Sequence, residues 1–159
     1  MEITQPTPQD YDELLTLWEA SVRSTHHFLA EEDILFYKPL IREQYFPTVE
    51  LYIIRNQEER IAAFMGLGGE LIEMLFVHPD EQGKGYGKQL MAYALHERHI
   101  HKVDVNEQNE QACLFYQHSG FKIVGRDETD STGKPFPILH LQWKLDLYTL
   151  NTPLSLIHI

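Results

Sequence analysis

The sequence predicts one mixed α/β domain, and three observations carry that prediction. Stretches with apolar residues at helical spacing alternate with short apolar runs of strand length. No internal repeat and no interior linker divides the chain. Its 159 residues, 43% hydrophobic and 23% charged, suit a single sizeable core and exclude a disordered, collagenous or fibrous chain.

The elements follow in order. Thr7-Pro8-Gln9-Asp10 reads as a helix start, with a hydroxyl cap, proline at the first helical position and an acid closing the first turn. Tyr11, Leu14, Leu15, Trp18 and Val22 then keep helical spacing and predict one buried stripe. A second helix starts at Glu31-Glu32-Asp33, and Pro39 should split or kink it before it resumes through Leu40, Ile41 and Tyr45. Residues 50–55 and 60–68 read as a hairpin around Asn56-Gln57-Glu58-Glu59. In the strand 71–77, alternation puts Leu71, Glu73, Leu75 and Val77 on one face and Ile72, Met74 and Phe76 on the other. Apolar residues on both faces mark it as a central strand. Tyr86, Leu90, Met91, Ala94 and Leu95 give an amphipathic helix, and residues 102–105 a short strand. Asn109 caps a helix bearing Ala112, Phe115 and Tyr116, with Gly120 as its left-handed stop. Strands at 121–125 and 138–145 complete the pattern. Residues 147–159 are mostly apolar around Pro153, and they read as a tail of uncertain structure behind a domain of residues 1–146.

Composition narrows the function. One cysteine, Cys113, excludes an internal disulfide framework and fits a reducing cytoplasm. No run of about 18 apolar residues predicts a membrane span, and the acidic, polar start at Met1-Glu2-Ile3 does not read as a signal peptide. The formal charge of -11 speaks against nucleic acid and favours a cationic or amine-bearing partner. Monomer and homodimer are equally open.

The most informative segment runs from Leu75 to Lys88. A strand enters a loop with Gly83, Gly85 and Gly87, and the loop opens a helix. Glycines let backbone approach a ligand closely, and a helix N-terminus offers unpaired N–H groups with partial positive charge. Lys84 and Lys88 add local cations. This is a phosphate cradle. It fails the Walker pattern, because Gln89 follows Lys88. Against a dinucleotide fingerprint, Asp104 stands at a suitable distance, but the glycine spacing is wrong and five residues separate Val77 from Gly83.

At these residues the sequence resembles the GNAT (GCN5-related N-acetyltransferase) superfamily. Gln82, Gly85 and Gly87 match its coenzyme pattern Gln/Arg-x-x-Gly-x-Gly/Ala, and Asn109 to Tyr116 followed by Gly120-Phe121 resembles its second signature. With residues 21–26 and 106–111, the chain looks most like the bacterial YjaB-type branch, over about residues 1–146. The resemblance implies a mixed, mostly antiparallel twisted sheet of about six to seven strands flanked by about four helices. It also implies acetyl-CoA as co-substrate and a small-molecule or protein amine as acceptor. The pantetheine arm would pair with the backbone of Leu75, Phe76 and Val77. The pyrophosphate would rest on the N–H groups of Gly83, Lys84, Gly85, Tyr86, Gly87 and Lys88. Asn109 would contact the coenzyme, and Tyr116 would stand near its sulfur.

The implied reaction is direct attack of an amine on the thioester, with a backbone N–H near Val77 for the oxyanion and Tyr116 as candidate acid for the thiolate. A phenol near pKa 10 is a weak acid beside a thiol near 8.5, so Tyr116 could also serve as a hydrogen-bond donor only. Glu73 and Asp104 are the candidate bases, acting directly or through water. His26 and His27, in the loop after the first helix, are candidates for the acceptor pocket. His96, His99 and His101 suit a helix C-terminus better than a metal, and Cys113 reads as a buried, inert thiol. Two alternatives stay open: a non-enzymatic acetyl-CoA sensor on the same scaffold, and a dinucleotide-binding oxidoreductase domain.

Overall fold

Among residues 2–143, which the computed structural model describes, seven β-strands and four α-helices follow one another. This is the mixed α/β class that the sequence predicts. The chain packs as two compact units, Met1–Ile100 and His101–Ile159. Residues 144–159, which include the predicted tail, lie outside the described residues.

The first unit is an antiparallel meander of β1 (Ile3–Thr4), β2 (Glu50–Arg55), β3 (Ile61–Gly68) and β4 (Leu71–Val77). Asp10 Oδ2 accepts the Thr7 N–H at 2.9 Å, closing the expected N-terminal turn ahead of α1 (Tyr11–Thr25). That helix buries Leu14, Leu17, Trp18 and Val22 in one cluster with Ile34, Ile41, Phe46, Leu51, Ile53 and Phe64, while Tyr11 and Leu15 are only partly buried. The second helix, α2 (Glu31–Leu40), contains Pro39 and passes into a π-turn, Ile41–Tyr45. Proline lacks an N–H and clashes with the carbonyl four residues before it, and the regular helix ends one residue after Pro39. On the other face of β3 and β4 lies α3 (Tyr86–His96), burying Leu90, Met91, Ala94 and Leu95.

β4 is covered by α1 on one side and α3 on the other, as expected of a central strand, although Met74 to Val77 keep partial exposure and β3 is the more deeply buried, from Ile61 to Leu67. One expectation is corrected. A β-bulge breaks the alternation in β4. Ile72 pairs with Leu67 and Met74 with Gly66, so Glu73 is the extra residue. Ile72, Leu75 and Val77 therefore share one face, and Leu71, Met74 and Phe76 the other.

The second unit holds β5 (Lys102–Asn106), α4 (Glu110–His118), β6 (Phe121–Asp127) and β7 (Ile138–Trp143). β7 pairs antiparallel with both β5 and β6. α4 covers the face that carries Val103, Val105, Leu139, Leu141 and Phe121 and buries Cys113 and Tyr116 against it. The register puts Lys102, Asp104, His140, Gln142, Lys122 and Gly125 on the opposite face.

Candidate active site

β4 ends where His78 N–H bonds to the Ala62 carbonyl at 2.8 Å. A short 3-10 turn, Pro79–Glu81, follows, and His78 Nδ1 caps it by accepting the Asp80 N–H at 3.1 Å. The Gln82 side chain folds back so that Nε2 donates to the Val77 carbonyl at 3.3 Å, which ties the loop to the strand end. Gly83 (φ +80°) and Gly85 (φ +85°) are both left-handed, and nothing lies within 4 Å of where their Cβ atoms would stand. Gly85 is the N-cap of α3, Tyr86 its first residue, and Gly87 and Lys88 complete the first turn. The first bond into the helix runs from Gln89 N–H to the Gly85 carbonyl at 3.0 Å. Among the described residues, no acceptor takes an amide N–H from Gly83 through Lys88. The loop therefore carries unused amide donors and open space at Gly83 and Gly85, the features a phosphate cradle requires.

The cations differ from expectation. Lys84 Nζ is paired with Glu81 Oε2 at 2.8 Å, and Asn56 holds the other Glu81 oxygen at 2.9 Å. The neighbouring carboxylate raises the lysine pKa and cancels its charge locally. Exposed Lys88 has no ion pair among the described residues.

Elsewhere in the first unit, the His26 ring packs on Phe28 and Phe76, with centroids at 5.2 and 6.4 Å, and its Nδ1 meets Thr25 Oγ1 at 2.7 Å. Burial pulls its pKa down to about 4, so the ring is neutral at physiological pH. His27 is exposed. The contact between His26 and β4 had no signal in the local sequence, since fifty positions separate the two rings. Glu73 is exposed, and its carboxylate lies where a Cβ on Gly68 would stand, 2.7 Å away. It sits at the hairpin end of β4, on the face opposite Leu75 and Val77.

In the second unit, Asn109 Oδ1 accepts the Ala112 N–H at 3.2 Å and caps α4 as expected. Tyr116, 5% exposed, lies between the rings of Phe115 and Phe121 at 5.1 and 5.4 Å. Burial pushes its phenol pKa well above the usual value. Its hydroxyl has no hydrogen-bond partner among the described residues. Among the described residues no fully buried side-chain polar atom lacks a partner, so this oxygen keeps some exposure. Cys113 is 9% exposed, and burial raises its pKa, as expected of an inert thiol. Asp104 does not stand alone: His140 bonds it at 2.6 Å and Asp127 at 2.8 Å. Sequence reasoning missed this cluster because its members lie on three separate strands. Among the described residues, no group of three or more His, Cys, Asp or Glu side chains is placed to hold a metal.

The profile described as Acetyltransferase (GNAT) domain matches residues 47–123. The chain belongs to the GNAT acetyltransferase family, and its reaction moves an acetyl group from acetyl-CoA to an amine. It is 37% identical over 143 residues to the peptidyl-lysine N-acetyltransferase YjaB of Escherichia coli K12, spanning 90% of this chain and 97% of that protein. The corresponding protein of Salmonella typhimurium LT2 is 36% identical over 141 residues, 89% of this chain and 97% of the relative. The solution structure of apo-form YjaB from E. coli superposes with a TM-score of 0.82 over 89% of this chain and 96% of that one. The PaiA N-acetyltransferase of Thermoplasma acidophilum, solved with coenzyme A, shares the fold at 18% identity and a TM-score of 0.67, over 89% and 98% of the two chains. Among the described residues, no helix is long and apolar enough to cross a membrane.

Proposed function

We propose that the acceptor is the side-chain amine of protein lysines, and that acetyl-CoA binds on the loop between β4 and α3. The observation that carries the coenzyme reading is the row of unused amides from Gly83 to Lys88 behind two left-handed glycines. The lysine reading is supported by relatives 37% and 36% identical that carry the name peptidyl-lysine N-acetyltransferase. A net charge of -11 draws in basic protein segments. The lone, buried cysteine supports a cytoplasmic setting.

In this reading the amides and Lys88 hold the pyrophosphate, and the backbone of Leu75, Phe76 and Val77 takes the pantetheine arm. Asn109 contributes from the α4 cap. Tyr116 offers its hydroxyl to the leaving sulfur. Its raised pKa makes it a hydrogen-bond donor to a thiolate, because full proton transfer from so weak an acid runs uphill. Of the two carboxylates, Asp104 is assigned as base: one oxygen is fixed by His140, and the other has no partner among the described residues. Glu73 lies at the far end of β4, over Gly68. His26 and His27 border the acceptor.

The test is thiol release and product mass with three acceptor sets: lysine peptides with blocked N-termini, free-N-terminus peptides without lysine, and small amines. Release with the first set is expected. Release with small amines alone would overturn the lysine reading. Tight acetyl-CoA binding without release from any set would favour the sensor.

A further inference from the structure

On the face of the second unit that α4 leaves uncovered, three side chains from three strands form one line. His140 on β7 donates from Nδ1 to Asp104 Oδ1 on β5 at 2.6 Å and from Nε2 to Asp127 Oδ2 on β6 at 2.8 Å. The register places Asp104, His140 and Gly125 directly opposite one another. The bulge at Val124 sets that alignment in β6, and Gly125 leaves space for the ring, since a Cβ there would stand 3.3 Å from His140 Cδ2. Ionised carboxylates only accept, so both ring nitrogens carry hydrogen and the ring is an imidazolium when both bonds are made. The two carboxylates, Asp104 foremost, raise its pKa above 6.5. Lys102 and Lys122 lie on this same face, both in register with Gln142. Side-chain exposure rises along the line, with Asp104 at 31%, His140 at 35% and Asp127 at 68%.

We propose that His140 is a positioning residue for acetyl transfer, fixing one oxygen of Asp104 so that the other faces the incoming ammonium, and that Asp127 in turn fixes His140. This rests on the reading of Asp104 as base. A short carboxylate has two rotatable bonds, and one strong charge-assisted bond removes most of that freedom. The unengaged Oδ2 then takes the proton: R–NH3+ and the carboxylate become R–NH2 and the carboxylic acid, and the freed lone pair attacks the thioester. When the imidazolium loses its proton at higher pH, only one ring nitrogen can donate, to Asp104 or to Asp127, so Asp104 is held for only part of the time. Turnover therefore carries a falling alkaline limb set by His140.

The experiment compares the pH profile of kcat/KM with the titration of the His140 ring followed by NMR, in the full chain and in three variants. Asp127→Asn, at the most exposed position, should shift the ring titration and the alkaline limb to lower pH together, with acetyl-CoA affinity unchanged. His140→Gln, which can still donate one bond but cannot titrate, should lose the limb and lower kcat/KM by about tenfold or more. Asp104→Asn should cost about 10²–10⁴-fold, the range of a general base. A limb that stays in place while the ring titration moves would overturn the positioning role and leave Asp104 as base. Wild-type turnover by Asp104→Asn would overturn the base reading itself, and with it this proposal. A merely structural triad would lower Tm without moving the limb of the surviving enzyme.

Discussion

At Gly85 the backbone stands at φ +85° and ψ +8°, where a side chain costs about 1–2 kcal/mol in strain although no neighbour blocks it. Gly85→Val should therefore lower Tm by several degrees and leave the protein folded. A branched side chain in front of open amides should weaken acetyl-CoA binding by at least about tenfold, roughly 1.4 kcal/mol. Unchanged affinity in calorimetry would remove the cradle. Tyr116 makes the opposite case. Its ring is packed, but its hydroxyl bonds nothing among the described residues, so Tyr116→Phe should leave Tm and acetyl-CoA affinity nearly untouched. If the hydroxyl meets the leaving sulfur as charge develops, kcat and kcat/KM fall together, by about tenfold or more. Wild-type kcat with chemistry rate-limiting would relegate Tyr116 to the core. Both residues were legible in the sequence because each belongs to a contiguous signature. His140 was not, because its partners are 36 and 13 positions away and meet it only through strand register.

The helices were legible for the same local reason. The Thr7–Asp10 turn, the Asn109 cap and the break after Pro39 are all written within a few residues of where they act. The bulge at Glu73 was not, since Leu-Ile-Glu-Met-Leu-Phe-Val keeps a clean alternation and only the pairing with β3 reveals the extra residue. Across β5, β7 and β6, the His140 cluster joins elements and carries a pH dependence. Its folded pKa lies above the ordinary value, so its contribution is fully present below about pH 6.5 and is lost as pH rises through the raised value. The side chains are between 31% and 68% exposed, which limits the effect to about 1 kcal/mol. Urea denaturation at pH 6 and pH 9 should show a larger loss of stability at pH 9 for wild type than for His140→Gln. Equal losses would mean that the ring titrates alike folded and unfolded.

For the molecule as a whole, composition and order of elements were enough to predict the α/β class, because alternating helical and strand periodicities recur along the entire chain. The segment 147–159 stands apart in composition and carries no member of either signature. Deleting it should change Tm little and leave acetyl-CoA binding intact. Aggregation or lost binding after truncation would show that it belongs to the domain.

The single thiol in 159 residues is Cys113, tucked under α4 with its Sγ 3.6 Å from the Asn106 carbonyl. An enzyme that liberates a thiol at every turnover is most simply followed with a chromogenic disulfide, and most proteins spoil that readout with their own cysteines. Here the blank should be silent. The native protein should give almost no rapid colour with such a reagent, and one equivalent should appear once denaturant is added. The same inertness should let the reaction be followed continuously without a reducing agent and without the reagent inactivating the enzyme it reports on.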